Sequence, residues 1–167
     1  LNKKYKFIKK DTKLLDVGAY PGGWSQVSSK IITSGKILSL DLKKMDQLKN
    51  VSFLQSNFLE ENTKEKVFNF FSGSLNVVLS DMAADTTGNK SLDCIRTNQL
   101  CANVINFSSK ILLPNGVLIS KLFMGDDFLE VKDLAKSKFK KVQFFKPEAS
   151  RNESKETYLY CAILKTL

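Results

Sequence analysis

The chemistry open to this chain is narrowed first by what it lacks. None of its 167 residues is histidine, which removes Ser-His-Asp and Cys-His nucleophile systems, histidine metal ligands and histidine general bases. Reactive work is left to Lys, Asp, Glu, Tyr or a bound cofactor. Three charged side chains stand out because each borders an apolar run. Asp81 follows residues 75–80, Lys121 follows residues 117–120, and Glu156 opens residues 156–162. A charge beside a buried strand is costly unless it is paired. If the first two runs are neighbouring strands and the third lies antiparallel beside the second, the three groups meet at one sheet edge, with the lysine between two carboxylates. A purely structural ion pair is the other reading of the same pattern.

A second set of residues suits a ligand. Leu14-Leu-Asp-Val-Gly-Ala-Tyr-Pro-Gly-Gly-Trp24 is an apolar run, a glycine turn and the start of a segment with helical character. Strand, tight turn and helix make the first unit of a Rossmann-like domain. Gly18, Gly22 and Gly23 let backbone approach a ligand with no Cβ in the way, and the helix start beyond them offers free N–H groups. The spacing is neither the G-x-G-x-x-G of dinucleotide sites nor a P-loop. Asp41 ends the next apolar run about twenty positions on, where a carboxylate can accept from both hydroxyls of a ribose; a turn cap is the alternative. Asn57, after a third short run, could present its amide to an adenine edge or simply serve a loop.

The elements that must position these groups follow from periodicity and punctuation. Strands are predicted over 13–17, 36–41, 51–54, 75–80, 117–120, 139–145 and 156–162. Helices are predicted over 23–33, 60–71, 92–113 and 128–138, with Gly35 ending the first and Pro114-Asn-Gly116 stopping the third. Residues 1–11 read as the end of a preceding helix and a loop. Alternating strands and helices with short joints mean one α/β domain on a mainly parallel sheet. In such sheets ligands sit beyond the carboxyl ends of the strands, which is where Gly18, Asp41, Asn57, Asp81 and Lys121 fall.

A chain of 167 residues, 43% hydrophobic and 26% charged, fits one soluble domain with a full core. It has no apolar run able to span a bilayer and no signal peptide. Because it begins at Leu1, an N-terminal part, with any targeting segment, is expected to be missing. The net charge of +9 is almost all lysine, Arg96 and Arg151 being the arginines; it points to a polyanionic partner, although A/T-rich codon usage would enrich lysine too. Cys94, Cys101 and Cys161 form no C-x-x-C pair, which fits a reducing compartment, cytoplasmic or organellar, such as the mitochondrion.

The chain resembles the RrmJ/FtsJ family of S-adenosylmethionine-dependent RNA 2′-O-ribose methyltransferases over essentially its whole length. The resemblance rests on Asp16-Val-Gly-Ala-Tyr-Pro-Gly-Gly-Trp-Ser25, Asp41-Leu-Lys-Lys-Met-Asp46, Gln55-Ser-Asn-Phe58, Ser80-Asp-Met-Ala83 and Lys121-Leu-Phe-Met-Gly125. It ends with Lys146-Pro-Glu-Ala-Ser-Arg151 and Glu153-Ser-Lys-Glu-Thr-Tyr158. It implies a Rossmann-like class I methyltransferase fold: a seven-stranded, mainly parallel sheet with its last strand antiparallel and helices on both faces. It also implies a K-D-K-E tetrad, of which Asp81, Lys121 and Glu156 are the last three members. The first lysine is expected upstream of Leu1, since Lys6 lies too close to Gly18. Cofactor contacts are implied at the glycine turn (Gly18, Gly22, Gly23), Trp24, Asp41, Asn57 and Asp81. Two residues depart from the pattern: Asn57 stands where the family usually has Asp, and Ala84 where it usually has Pro.

What the resemblance implies about activity is in-line transfer of a sulfonium methyl to a ribose 2′-OH, without a metal. Lys121 would be the base or the stabiliser of the developing alkoxide, oriented by Asp81 and fixed by Glu156. The Gly-Gly-Trp and Lys-Pro…Ser-Arg segments look like the large-subunit ribosomal RNA branch, with a uridine as target and a monomeric enzyme. Lysines around 3–10 and 136–146 would grip RNA. Alternative readings are a tRNA or mRNA-cap methyltransferase and a non-catalytic RNA-binding ribosome-assembly factor. An NAD-dependent oxidoreductase is disfavoured by the glycine spacing and the missing histidine.

Overall fold

The structure, a computed structural model, describes residues 1–148 and 150–166. In chain order the elements are α1 (Asn2–Tyr5), β1 (Lys13–Val17), α2 (Gly23–Ile31), β2 (Lys36–Asp41), β3 (Ser52–Gln55), α3 (Glu61–Phe70) and β4 (Leu75–Ser80). They continue with α4 (Lys90–Ile111), β5 (Leu112–Phe123), α5 (Phe128–Lys138), β6 (Phe139–Phe145) and β7 (Glu156–Leu164). The strands form one sheet in the order β3-β2-β1-β4-β5-β7-β6. β7 runs antiparallel to both its neighbours, while the other pairs are parallel. The winding reverses between β1 and β4, and a crevice opens at such a switch point.

Both sheet faces are covered, which is why the strands read as unbroken apolar runs. Along β4, Val78 faces one core with Leu15, Val104, Ile105 and Val131. Val77 and Leu79 face the other, with Leu14, Ile37, Ile119 and Ile32. The first core lies under α3, α4 and α5; the second lies under α2 and the N-terminal residues Tyr5, Phe7 and Ile8. No helix among the described residues is long and apolar enough to cross a membrane.

Two sequence expectations are corrected here. Pro114-Asn-Gly116 does not separate α4 from its strand: β5 starts at Leu112, directly after the helix. The register jumps from Leu75↔Leu112 to Val77↔Val117, so Pro and Gly are absorbed in a bulge, where a missing N–H disturbs no ladder. Gly35 is not a helix cap either. The cap residue of α2 is Ile32, in extended conformation, and the amides of Thr33, Ser34 and Gly35 all donate to the Lys10 carbonyl. A Cβ at Gly35 would lie 1.9 Å from the Thr12 carbonyl oxygen, so the requirement is close backbone contact. Gly35→Ala is therefore expected to lower the unfolding free energy by about 3 kcal/mol in urea denaturation; an unchanged midpoint would show that the backbone yields there.

Candidate active site

A cleft of about 510 Å³ opens at the switch point, lined among others by Gly18, Asp41, Asn57, Phe58, Asp81 and Met82. This is the size of a small-molecule site. Gly18 turns the chain at φ +69°, and a Cβ there would come within 2.9 Å of Met82, so the turn and the end of β4 meet only because the residue is glycine. Asp41 does cap a turn: its two oxygens accept the amides of Tyr20 (2.9 Å) and Lys43 (2.8 Å). Each oxygen keeps further lone-pair capacity. Asn57 Oδ1 accepts the Leu59 amide at 3.0 Å. Gly22 (φ +118°) caps the start of α2 without a side-chain bond, against Met45 and Leu48. Nothing lies within 4 Å of where a Gly23 Cβ would stand; the first amides of this helix have no intrahelical partner, and such an end favours anions. The Trp24 ring points elsewhere: it packs on Tyr158 with centroids 5.6 Å apart and lines the adjoining groove.

The charged groups converge at the neighbouring strand ends. β4 and β5 pair up to Ser80↔Ser120, so the next residues, Asp81 and Lys121, leave the ladder side by side. Lys121 Nζ lies 3.0 Å from Asp81 Oδ1, with the side chains 14% and 38% exposed. Glu156 is close but is not a direct partner of Lys121. Antiparallel register places Tyr158 opposite Lys121 and Glu156 opposite Phe123. The Tyr158 hydroxyl is the link: it lies 2.8 Å from Asp81 Oδ1 and 3.2 Å from Glu156 Oε1, and its single proton can serve one carboxylate at a time. The expected lysine between two carboxylates is thus a lysine on one carboxylate, joined through a phenol to the second.

Tyr158 is the residue that sequence reasoning missed. Its signal was there: it sits two positions from Glu156 on a strand, hence on the same face. Burial, then the hydrogen bond and charge of Asp81, raise its pKa above the ordinary tyrosine value. It is a proton-holding donor between two acceptors. Phe145 stacks on its other side, 5.7 Å away at 20°. Beyond these rings runs a groove of about 1440 Å³ carrying Lys3, Lys4, Lys146 and Arg151, with Glu156 at its edge.

A profile of the FtsJ-like methyltransferases matches residues 1–164. The chain belongs to that family. It is 40% identical over 165 residues to the ribosomal RNA large subunit methyltransferase E of Pelagibacter ubique, covering 99% of this chain and 81% of the relative. The Rickettsia akari protein of the same name is 43% identical over 165 residues, covering 95% and 73%. A solved Plasmodium falciparum structure assigned as a ribosomal RNA methyltransferase superposes with a TM-score of 0.85 at 28% identity, covering 98% of this chain and 92% of that one.

Beneath the cleft lies a buried polar knot. Asp16, 1% exposed, accepts from the Ser25 hydroxyl at 2.6 Å, and Ser25 shares a hydrogen bond with Ser39. The knot ties β1 to α2 and β2. The other carboxyl oxygen, Oδ1, has no partner among the described residues. Burial pushes the Asp16 pKa up to about 7, the Ser25 bond opposes, and the charges of Asp81 and Asp41 push the same way as burial. A carboxyl whose folded pKa is raised stabilises the fold fully below its unfolded pKa, near 3.8, and loses that contribution as pH rises through about 7. Between about pH 5 and pH 8 the native chain should lose on the order of 2–3 kcal/mol more stability than Asp16→Asn. Urea melts at both pH values read this difference, and parallel curves would mean that Asp16 is ionised throughout.

Proposed function

We propose that this chain transfers the methyl group of S-adenosylmethionine to a ribose 2′-hydroxyl of RNA, with a uridine of large-subunit ribosomal RNA as the target. The observation that carries the reading is the Asp81–Lys121 ion pair, joined through Tyr158 to Glu156, standing where the cleft of Gly18, Asp41 and Asn57 meets the basic groove. The names of the relatives direct the substrate to ribosomal RNA.

The donor set fits the cofactor piece by piece. Asp41 retains acceptor capacity on both oxygens for a ribose diol, and the Asn57 amide can meet an adenine edge with a donor and an acceptor. The first-turn amides of α2, at Gly23 and Trp24, have no intrahelical partner and suit a carboxylate. Asp41, Asp81 and Asp85 line this cleft against Lys43 and Arg96, a negative excess that favours a cation. When bound, S-adenosylmethionine supplies an electrophilic sulfonium methyl. This chain's residues then have two tasks, alignment and charge. Alignment of a nucleophile with its target is worth roughly 7–11 kcal/mol in well-oriented cases. As an ammonium, Lys121 has three N–H donors; Asp81 takes one, and the others can meet the 2′-oxygen and stabilise its developing negative charge, while the hydroxyl proton that the methyl replaces passes to solvent. The Tyr158 hydroxyl meets the same Asp81 oxygen as Lys121 and connects it to Glu156.

The groove explains the partner. Lys3, Lys4, Lys146 and Arg151 give it positive charge beside aromatic walls, a combination suited to a single strand with exposed bases. The 2′-hydroxyl distinguishes RNA from DNA. Lys121→Ala should abolish methyl transfer from labelled cofactor to ribosomal RNA, a loss of about 1000-fold or more, while calorimetric affinity for S-adenosylmethionine changes less than about threefold. Retained transfer in that variant would sink the assignment. RNA bound without any transfer by the native chain would favour an assembly factor on the same scaffold. A double change, Lys146→Ala with Arg151→Ala, should weaken RNA binding uniformly across sequences and flatten its log–log salt slope by about 2; a slope identical to the native one would move the RNA path elsewhere.

A further inference from the structure

The reacting pair stands beyond the last backbone pairing that joins its two segments. The β4–β5 ladder ends at Ser80↔Ser120. Past it Asp81 enters the irregular stretch 82–89, while Lys121 continues along β5 to Phe123. Each is held on its outer side, Asp81 by its amide on the Val17 carbonyl and Lys121 by pairing with Tyr158 of β7, but no strand pairing sets the separation between the two. Both are tied to α4, by adjacent residues. Thr97 Oγ1 accepts the Ala84 amide at 3.0 Å. Asn98 treats Phe123 as a neighbouring strand would: its Nδ2 donates to the Phe123 carbonyl at 2.9 Å and its Oδ1 accepts the Phe123 amide at 2.8 Å. Asn98 Nδ2 also donates to Asp127 Oδ1 at 2.7 Å. Thr97 is 1% exposed and Asn98 0%. Polar side chains buried this deeply are retained only when hydrogen-bonded, and here the partners are the backbones that carry the reacting groups.

The geometry points to Thr97 and Asn98 as positioning residues: a two-residue strut on α4 that sets the distance between the Asp81 segment and the Lys121 strand. Adjacent helical residues project about 100° apart, so one reaches each segment while their Cα atoms stay about 3.8 Å apart. The two arms act differently. Ala84 and its neighbours Met82 and Ala83 line the cofactor cleft, so Thr97 shapes the cofactor wall. Phe123 lies two residues past Lys121 on a strand whose other edge pairs with β7, so Asn98 fixes the edge of β5 left free where the β4 ladder ends. This role rests on the proposed methyl-transfer reading.

A double-mutant cycle isolates the Thr97 arm. Proline has no N–H, so in an Ala84→Pro background the Thr97 hydroxyl has nothing to receive. Thr97→Val should weaken S-adenosylhomocysteine binding about tenfold with Ala84 present and less than about twofold in the Ala84→Pro background. Equal losses in both backgrounds, or none in either, overturn the role. Thr97→Ser keeps the hydroxyl and should stay within about threefold of the native chain; a serine variant as weak as valine would assign the effect to the methyl and not to the bond, and this comparison stands if the proline variant does not fold. For the second arm, Asn98→Ala should lower kcat for RNA methylation about tenfold with cofactor KM and S-adenosylhomocysteine affinity nearly unchanged. Unchanged kcat with only a lowered melting temperature would make Asn98 merely structural; Asn98→Ser, which removes both bonds to Phe123 without setting a charge beside Asp127, gives the same readout if the alanine variant does not fold. Failure of the native chain to bind S-adenosylhomocysteine would count against the functional reading, not the strut.

Discussion

A lysine and an aspartate at the ends of two parallel strands form the interaction on which the site depends. They meet because β4 and β5 are hydrogen-bonded neighbours in register to their last shared pair, so the first residue past each ladder falls at the same height. The register also explains the chain's economy of reactive groups. Lys121 and Asp81 are brought to 3.0 Å by the sheet itself, without a loop folded back to deliver either one. The antiparallel strand β7 then brings Tyr158 and Glu156 to the same rim from the opposite direction.

The charge of the molecule is divided as its chemistry requires. The chain is strongly basic, with a net charge of +9, yet Asp41 and Asp81 line the cleft and Asp16 lies beneath it. Lys43 and Arg96 line the cleft as well, beside Asp85, while the adjoining groove carries Lys3, Lys4, Lys146 and Arg151 against Glu148 and Glu156, so the cleft has a negative excess and the groove a positive one. An acidic cleft attracts a cationic methyl donor, and a basic groove attracts a polyanion. The Asp81–Lys121 pair carries one charge of each sign.

Much of this was legible from residue type and spacing. The unbroken apolar runs gave the parallel strands because both sheet faces are buried. Gly18, Asp41, Asn57, Asp81 and Lys121 could be placed at one rim because strand ends are readable from single residues. What the sequence did not disclose was register across distant segments. The pairing of Phe123 with Glu156, not Lys121 with Glu156, depends on how far β5 runs past Ser120, and a strand end inside Lys121-Leu-Phe123 has no punctuation. Tyr158 was hidden for the same reason. Gly35 was misread because a glycine after a helix usually caps it, whereas its reason lies across space at Thr12. Thr97 and Asn98 look like ordinary polar residues on a helix; only the two backbones they meet give them meaning.

The position of β7 has a consequence for how the enzyme is born. It is the latest-made strand of the sheet, yet it sits between β5 and β6 and not at an edge. Until it emerges from the ribosome, β6 has no strand to join and the rim beside Lys121 lacks both its phenol and its second acid.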